Sequence, residues 1–436
     1  MNKRLKFFLS VSLIFAIFVS SFILPAASFE NDVETSTADM LLINTDTDTV
    51  VFSQKPDNMW YAGTLAELMT FLLAYESISD LDGTTFKVEQ TFIKGLPYTD
   101  GCLDKFVGQT LTAKDLMSIM LLTSGSDAAY ALASLANNGD TDAFVADMNA
   151  RAEALGCTNT GYVSPGFNDT SDQYTTCRDL YRLYTVVDKI ELYNKIMQMD
   201  SFTPAGLDEG DYTVDVEISI LNENSPYYFR YVNDAQYSYS KATYAGIALT
   251  TTYRGKNYFY AGLLGLNESE RNAYADARKL TTWAYQNLSD RKMINEEDAL
   301  YQVEIKGGWG EYMVDLHPRN SAFKTLPNEY DESKLTYSFD VPESVETPVL
   351  GDQAVGRAKI SYDGNEIDDI ALYTNTDEGL GMLSDAGRFA SYVLDRLTPN
   401  QYYAPDEEEE LQETAQPAEK ETEASTQTAA TAATEG

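Results

Sequence analysis

Residues Trp60 to Glu76, WYAGTLAELMTFLLAYE, constrain the fold more than any other stretch of the chain. A turn of small residues, Ala62, Gly63 and Thr64, runs into an apolar segment with Leu65, Leu68, Met69, Leu72 and Leu73 at helical spacing. A helix that is apolar over most of its circumference belongs inside a domain, so other elements must surround it. Thr64 is suited to N-cap this helix. Glu67, three residues on, completes the Thr-x-x-Glu pattern of a capping box.

Charge and length bound the remaining choices. The chain has 436 residues, enough for about two or three domains with a sizeable core. Its 31 basic against 68 acidic residues argue against nucleic acid or a bare anionic membrane as partner. Cys102, Cys157 and Cys177 are odd in number and widely spaced, which suggests neither a disulfide framework nor a zinc site. No metal and no cofactor is expected. With His317 the single histidine, a Ser-His-Asp triad would depend wholly on that residue.

Residues 1–28 have the layout of an export signal: Lys3, Arg4 and Lys6, then an apolar run from Phe7 to Leu24. Ala26 and Ser28 suit cleavage before Phe29. The run is long for a signal peptide, so retention as an uncleaved anchor is the alternative; the lack of stop-transfer charges favours cleavage. The expected location is extracellular or attached to the cell envelope. No other stretch is long and apolar enough to span a bilayer.

Along the chain, Met40 to Ser53 reads as a hairpin, two apolar runs around Asp and Thr turn residues. Leu111 to Ala136 is helical in pattern, with a break at Thr123-Ser124-Gly125-Ser126. A helix through Asp147, Met148 and Asn149 gives way to a Gly-rich loop and a second helix near Thr176. Strands flank the turn Arg254-Gly255-Lys256, and a helix from Ser269 to Leu288 follows. From Ala299 the chain is strand-rich, with β-formers alternating in 301–306, 335–340 and 356–361.

These motifs, in this order, resemble the D-alanyl-D-alanine carboxypeptidases, the low-molecular-weight penicillin-binding proteins. Met69-Thr70 and Glu76 fall in register with that family's active-site helix, which places Thr64 at its serine and Glu67 at its lysine. Ser124-Gly125-Ser126, followed by Asp127-Ala128-Ala129, resembles the second motif, Ser-x-Asn. The stretch 144–180, with Phe-Val-x-x-Met-Asn, Ala-x-x-Leu-Gly, Asn-Thr, Pro-Gly and Thr-x-x-Asp-Leu, matches the family throughout. Asn222 and Asn224 stand where the family often carries Asn-x-Asn. Lys241, Ala242 and Thr243 stand for the third motif, Lys-Thr-Gly, on an inner strand beside the active site.

The resemblance implies an α+β fold: a transpeptidase domain like those of penicillin-binding proteins and β-lactamases, an antiparallel sheet flanked by helices, followed by a small all-β domain. The expected divisions are a signal at 1–28, the carboxypeptidase-like domain at 29–292 and the β domain at 293–376. Residues 377–400 would hold an amphipathic helix, and 401–436 an acidic, Thr/Ala-rich disordered tail. In 384–397, Phe389, Tyr392, Val393 and Leu397 share a helix face, and either weak membrane contact or packing onto the β domain would use it.

The chemistry implied by the family is altered in all three motifs. A working serine attacks the peptide carbonyl, and a lysine one helical turn away takes its proton. Here Thr64 carries a methyl that crowds approach. Glu67, with an ordinary pKa near 4.3 and a neighbouring Lys241 lowering it, would be a poor base and would form a salt bridge with Lys241 instead. Ser126 lacks the asparagine amide, and Ala242-Thr243 adds a Cβ where substrate backbone would pass. Ser238-x-x-Lys241, Ser289-x-x-Lys292 and Ser321-x-x-Lys324 also occur, but none opens a buried apolar helix. The expected function is a pseudoenzyme that binds peptidoglycan stem peptides or an envelope protein. An active carboxypeptidase using Thr64, and a purely structural envelope component, are the alternatives.

Overall fold

The structure is a computed structural model that describes residues 29, 31–97, 101–208, 210–240, 244–264, 270–307 and 312–376. The expected signal at 1–28, the helix at 377–400, the tail at 401–436 and the residues Lys241, Ala242 and Thr243 lie outside the described residues.

Five antiparallel strands form the central sheet: β1 (Asp39–Asn44), β2 (Thr49–Gln54), β3 (Val232–Ser240), β4 (Tyr244–Tyr253) and β5 (Lys256–Leu264), in the order β2-β1-β5-β4-β3. Chain start and chain middle therefore meet, with Leu42 opposite Tyr260 and Leu249 opposite both Tyr260 and Ala235. The tight turn of the second hairpin is set by Arg254 and Gly255, both at positive φ.

Helices cover both faces of this sheet. They include α1 (Glu67–Ser77), α2 (Ala113–Thr123), α3 (Ser126–Ala136), α4 (Thr141–Ala154), α5 (Cys177–Val187) and α6 (Glu270–Asn287). Successive strand residues point to opposite faces. Tyr258 meets Tyr285 of α6, while Phe259 meets Tyr181 and Tyr184 of α5. Hence α6 lies on one face, and the helical layer holding α5 lies on the other. Within that layer α1 is central, with every residue from Glu67 to Ala74 buried. The all-round apolar character of its sequence demands that position.

A capping box does form, but at Thr112 and Asp115 on α2. It does not form at Thr64. The helix there starts at Glu67 after a 3₁₀ turn, Gly63–Ala66, and its N-cap is Ala66 with no side-chain cap bond. Glu67 points into the interior, where a buried hydroxyl holds it.

From Leu288 the chain is built of strands. β6 (Leu288–Ile294) pairs with β9 (Ala322–Pro327); β7 (Tyr301–Lys306) lies between β8 (Tyr312–Leu316) and β11 (Ser344–Glu346). β12 (Gly356–Tyr362) lies between β10 (Leu335–Asp340) and β13 (Asn365–Leu372). Val303, Ile305, Leu316, Val349, Ala358 and Leu372 form the core between these sheets. Helix-and-sheet region followed by all-β region is the α+β architecture that the resemblance implied. The two regions meet at the hairpin of β1 and β2, where Asn44 donates to Asp290 at 3.0 Å and Lys324 Nζ to the Thr47 carbonyl at 2.9 Å. His317 lies in the β region, paired through its backbone with Tyr373 and remote from the motifs. No described helix is long and apolar enough to cross a membrane.

Candidate functional site

Thr64 sits in the 3₁₀ turn that precedes α1, and Gly63 before it takes φ +51°, open to glycine at no steric cost. The turn lies against edge strand β3. The Thr64 N–H donates to Ser238 Oγ at 3.1 Å, and its hydroxyl donates to the Tyr237 carbonyl at 2.8 Å. The proton that a nucleophile would have to surrender is therefore given to an amide oxygen, which is no base.

Glu67 is fully buried one turn further on. Its Oε1 accepts the hydroxyl of Ser126 at 2.9 Å, and its Oε2 has no hydrogen-bond partner. Loss of hydration pushes its pKa well above the usual carboxylate range; the Ser126 bond opposes the shift, and the charge of Asp127 adds to it. The lowering by a neighbouring Lys241 that the sequence suggested rests on a residue outside the described ones. Among the described residues no cation forms an ion pair with Glu67; Lys241 lies outside them.

Ser126 both donates and accepts. It opens α3, donates to Glu67 and accepts the Phe167 N–H at 2.8 Å. Ser124, half-buried, ends α2 in the left-handed region at φ 49° and ψ 46°, which turns the chain sharply between α2 and α3. Asp127 binds backbone, accepting from Leu103 N at 2.7 Å and Ala128 N at 2.8 Å.

The loop between α4 and α5 closes the site from the side. Gly166 is close enough to Ser126 that a Cβ there would stand 2.8 Å from its side chain. Gln173, wholly buried, donates to the carbonyls of Gly63 and Gly166 and accepts from Val163 N and Ser164 N. It thereby ties the Thr64 turn to this loop. Asn149 holds the loop's start, exchanging bonds with Tyr162 N and O. On the outer end of α1, Glu76 pairs with Arg151 of α4 at 2.6 Å.

The structure thus brings Thr64, Glu67, Ser124 and Ser126 to one place at the junction of α1, α2, α3 and β3, as the motif order requires. Sequence reasoning missed Ser238, Tyr237, Phe167 and Gln173. Of these only Ser238 left a trace, as the first residue of the pattern Ser238-x-x-Lys241. Ser289 and Lys292 lie on β6, and Lys324 on β9, so neither of those patterns opens a helix. Among the described residues no group of acidic, Cys or His side chains could hold a metal ion.

A five-stranded antiparallel sheet between helical layers, with these motifs at its β3 edge and a β domain behind, defines a penicillin-binding-protein-like architecture. The D-alanyl-D-alanine carboxypeptidase family model matches residues 26–258, and the C-terminal domain model of penicillin-binding protein 5 matches 289–379. The chain belongs to the D-alanyl-D-alanine carboxypeptidase family. It is 22% identical over 359 residues to the D-alanyl-D-alanine carboxypeptidase DacA of Haemophilus influenzae, covering 78% of this chain and 84% of that one. It is 33% identical over 179 residues to a D-alanyl-D-alanine endopeptidase of Pseudomonas aeruginosa, covering 40% and 54%. In fold it is similar to penicillin-binding protein 5 of H. influenzae, with a TM-score of 0.65 at 18% identity over 80% of this chain and 99% of that one.

Proposed function

We propose that this protein is an exported, envelope-located member of the carboxypeptidase family that binds peptidoglycan stem peptides without cleaving them. One observation carries the reading: the group one turn after Thr64 is a buried glutamic acid bonded to Ser126, where acyl transfer needs a free base. A misplaced or missing general base costs about 10²–10⁴ in rate. The Thr64 hydroxyl, committed to the Tyr237 carbonyl, compounds that loss. The loop and the Ser124 turn meet at Ser126, in the order the family's motifs follow, which supports binding over a purely scaffolding role. Export rests on residues 1–28.

The test is incubation with a stem pentapeptide ending in D-Ala-D-Ala. The expected result is saturable binding by calorimetry with no free D-alanine by mass spectrometry. Stoichiometric or catalytic release of D-alanine overturns the proposal.

A further inference from the structure

Three arginines stand on one ladder of aromatic rings, at the end of β3 remote from Thr64. Arg254 lies over the Tyr253 ring at 5.1 Å, and Arg230 over the Tyr231 ring at 4.9 Å. Tyr231 lies 4.7 Å from Tyr253 and 5.3 Å from Phe229, whose ring carries Arg278 at 5.2 Å. The Thr252 N–H donates to the Tyr231 carbonyl at 2.8 Å, which holds the two tyrosines side by side where β3 begins and β4 ends. Tyr285 of α6 meets both of their rings. All three arginines are exposed.

In a chain with 31 basic and 68 acidic residues, this patch is a local reversal of charge. Among the described residues none of the three arginines forms an ion pair. The acids beside them are engaged: Asp46 accepts from the backbone and side chain of Asn257, and Glu223 accepts the Tyr228 hydroxyl at 3.2 Å. A guanidinium stacked on a ring keeps its in-plane donors available to a carboxylate. Arg278 gives donors to the carbonyls of Tyr227 and Tyr228 and so braces the ladder. Arg230 gives one to the Tyr231 hydroxyl at 2.7 Å, and Arg254 gives none to any described residue. Arg230 and Arg254 are therefore the anion-binding pair. Ser238, which holds the Thr64 turn, is seven residues from Tyr231, about 23 Å along the strand. A stem peptide of five residues spans at most about 18 Å. One peptide bound beside Thr64 falls short of the arginines, whereas a polymer bearing several such peptides reaches both places.

We infer that Arg230 and Arg254 form a second binding surface, for the carboxylates of further stem peptides on the same peptidoglycan polymer. This rests on the reading that the Thr64 site holds a stem peptide, and it makes the polymer, not the free peptide, the ligand. Co-sedimentation of the purified protein with insoluble peptidoglycan tests it, beside calorimetry with the free pentapeptide. The double change Arg230→Gln with Arg254→Gln should weaken sedimentation about tenfold. It should leave the pentapeptide affinity and the thermal midpoint unchanged. Amidation of the polymer's carboxyls should weaken binding of the unaltered protein at least as much. Undiminished sedimentation of the double variant, with the pentapeptide still bound, overturns the inference and leaves the stem-peptide reading standing. A loss of equal size towards polymer and pentapeptide overturns it too, as does undiminished binding of the amidated polymer. Weakened sedimentation of the double variant, with the pentapeptide bound by neither protein, upholds the arginine surface and overturns the stem-peptide reading of the Thr64 site.

Discussion

Glu67 decides what this site can do, because a carboxyl without water is a different reagent from one in solution. Its pKa is raised by burial, so its neutral form is favoured in the fold relative to the unfolded chain, whose group titrates at 4.5. The sign follows from linkage. A group with a raised folded pKa contributes its full stability below the unfolded pKa and loses it as pH rises through the folded pKa. Stability should therefore decline above pH 4.5, by up to about 1.4 kcal/mol per pH unit from this group. Glu67→Gln, which can still accept the Ser126 hydroxyl, should flatten that decline and raise the urea midpoint at pH 8. An unchanged slope would mean that Glu67 is ionised in the fold. The spacing from Thr64 singles this residue out in the sequence, but two local patterns share that spacing. Thr-x-x-Glu reads as a capping box and as a displaced Ser-x-x-Lys. What separates them is Ser126, 59 residues away along the chain, and no local pattern contains it.

Among the elements, the junction of α2 and α3 shows why the motif order survives while its chemistry changes. Ser124 turns the chain in the left-handed region, Ser126 starts the next helix, and Gly166 packs on Ser126 from the loop. Gly166→Ala should force that loop away from Ser126 and cost about 1–3 kcal/mol, read as a lower urea midpoint. A neutral result would show that the loop yields freely and does not hold the site. The break at Ser124 could be read from its turn residues, and α2 and α3 fall where the pattern puts them. The same holds for the β1–β2 hairpin, for the turn at Arg254-Gly255 and for the strands Tyr301–Lys306 and Leu335–Asp340. Gln90–Gly95 could not be read in this way, since it is a short helix with no buried residue and so no apolar stripe. Ser238 was hidden for another reason: its partner is a backbone N–H on a distant turn, and a backbone group leaves no mark in sequence.

For the whole molecule, the β domain is fastened to the first domain by buried polar contacts and by an apolar cluster that the two regions share. Lys324 is the chief of these, pairing with Asp368 at 3.2 Å while donating to Thr47. Lys324→Met should leave Asp368 unpaired in a largely buried place and cost about 3 kcal/mol. It should appear as a lower thermal midpoint or as separate melting of the two regions, and an unchanged single transition would show that apolar packing alone joins them. The architecture thus retains the family's frame around a site in which Glu67, at the position the resemblance gives to the family's lysine, is buried and bonded to Ser126. That contrast is tested most directly by intact-mass spectrometry of the protein after prolonged incubation with a penicillin. The account predicts the unmodified mass, because the Thr64 hydroxyl donates to the Tyr237 carbonyl and Glu67 is bonded to Ser126. A stoichiometric mass increase that maps to Thr64 would contradict it.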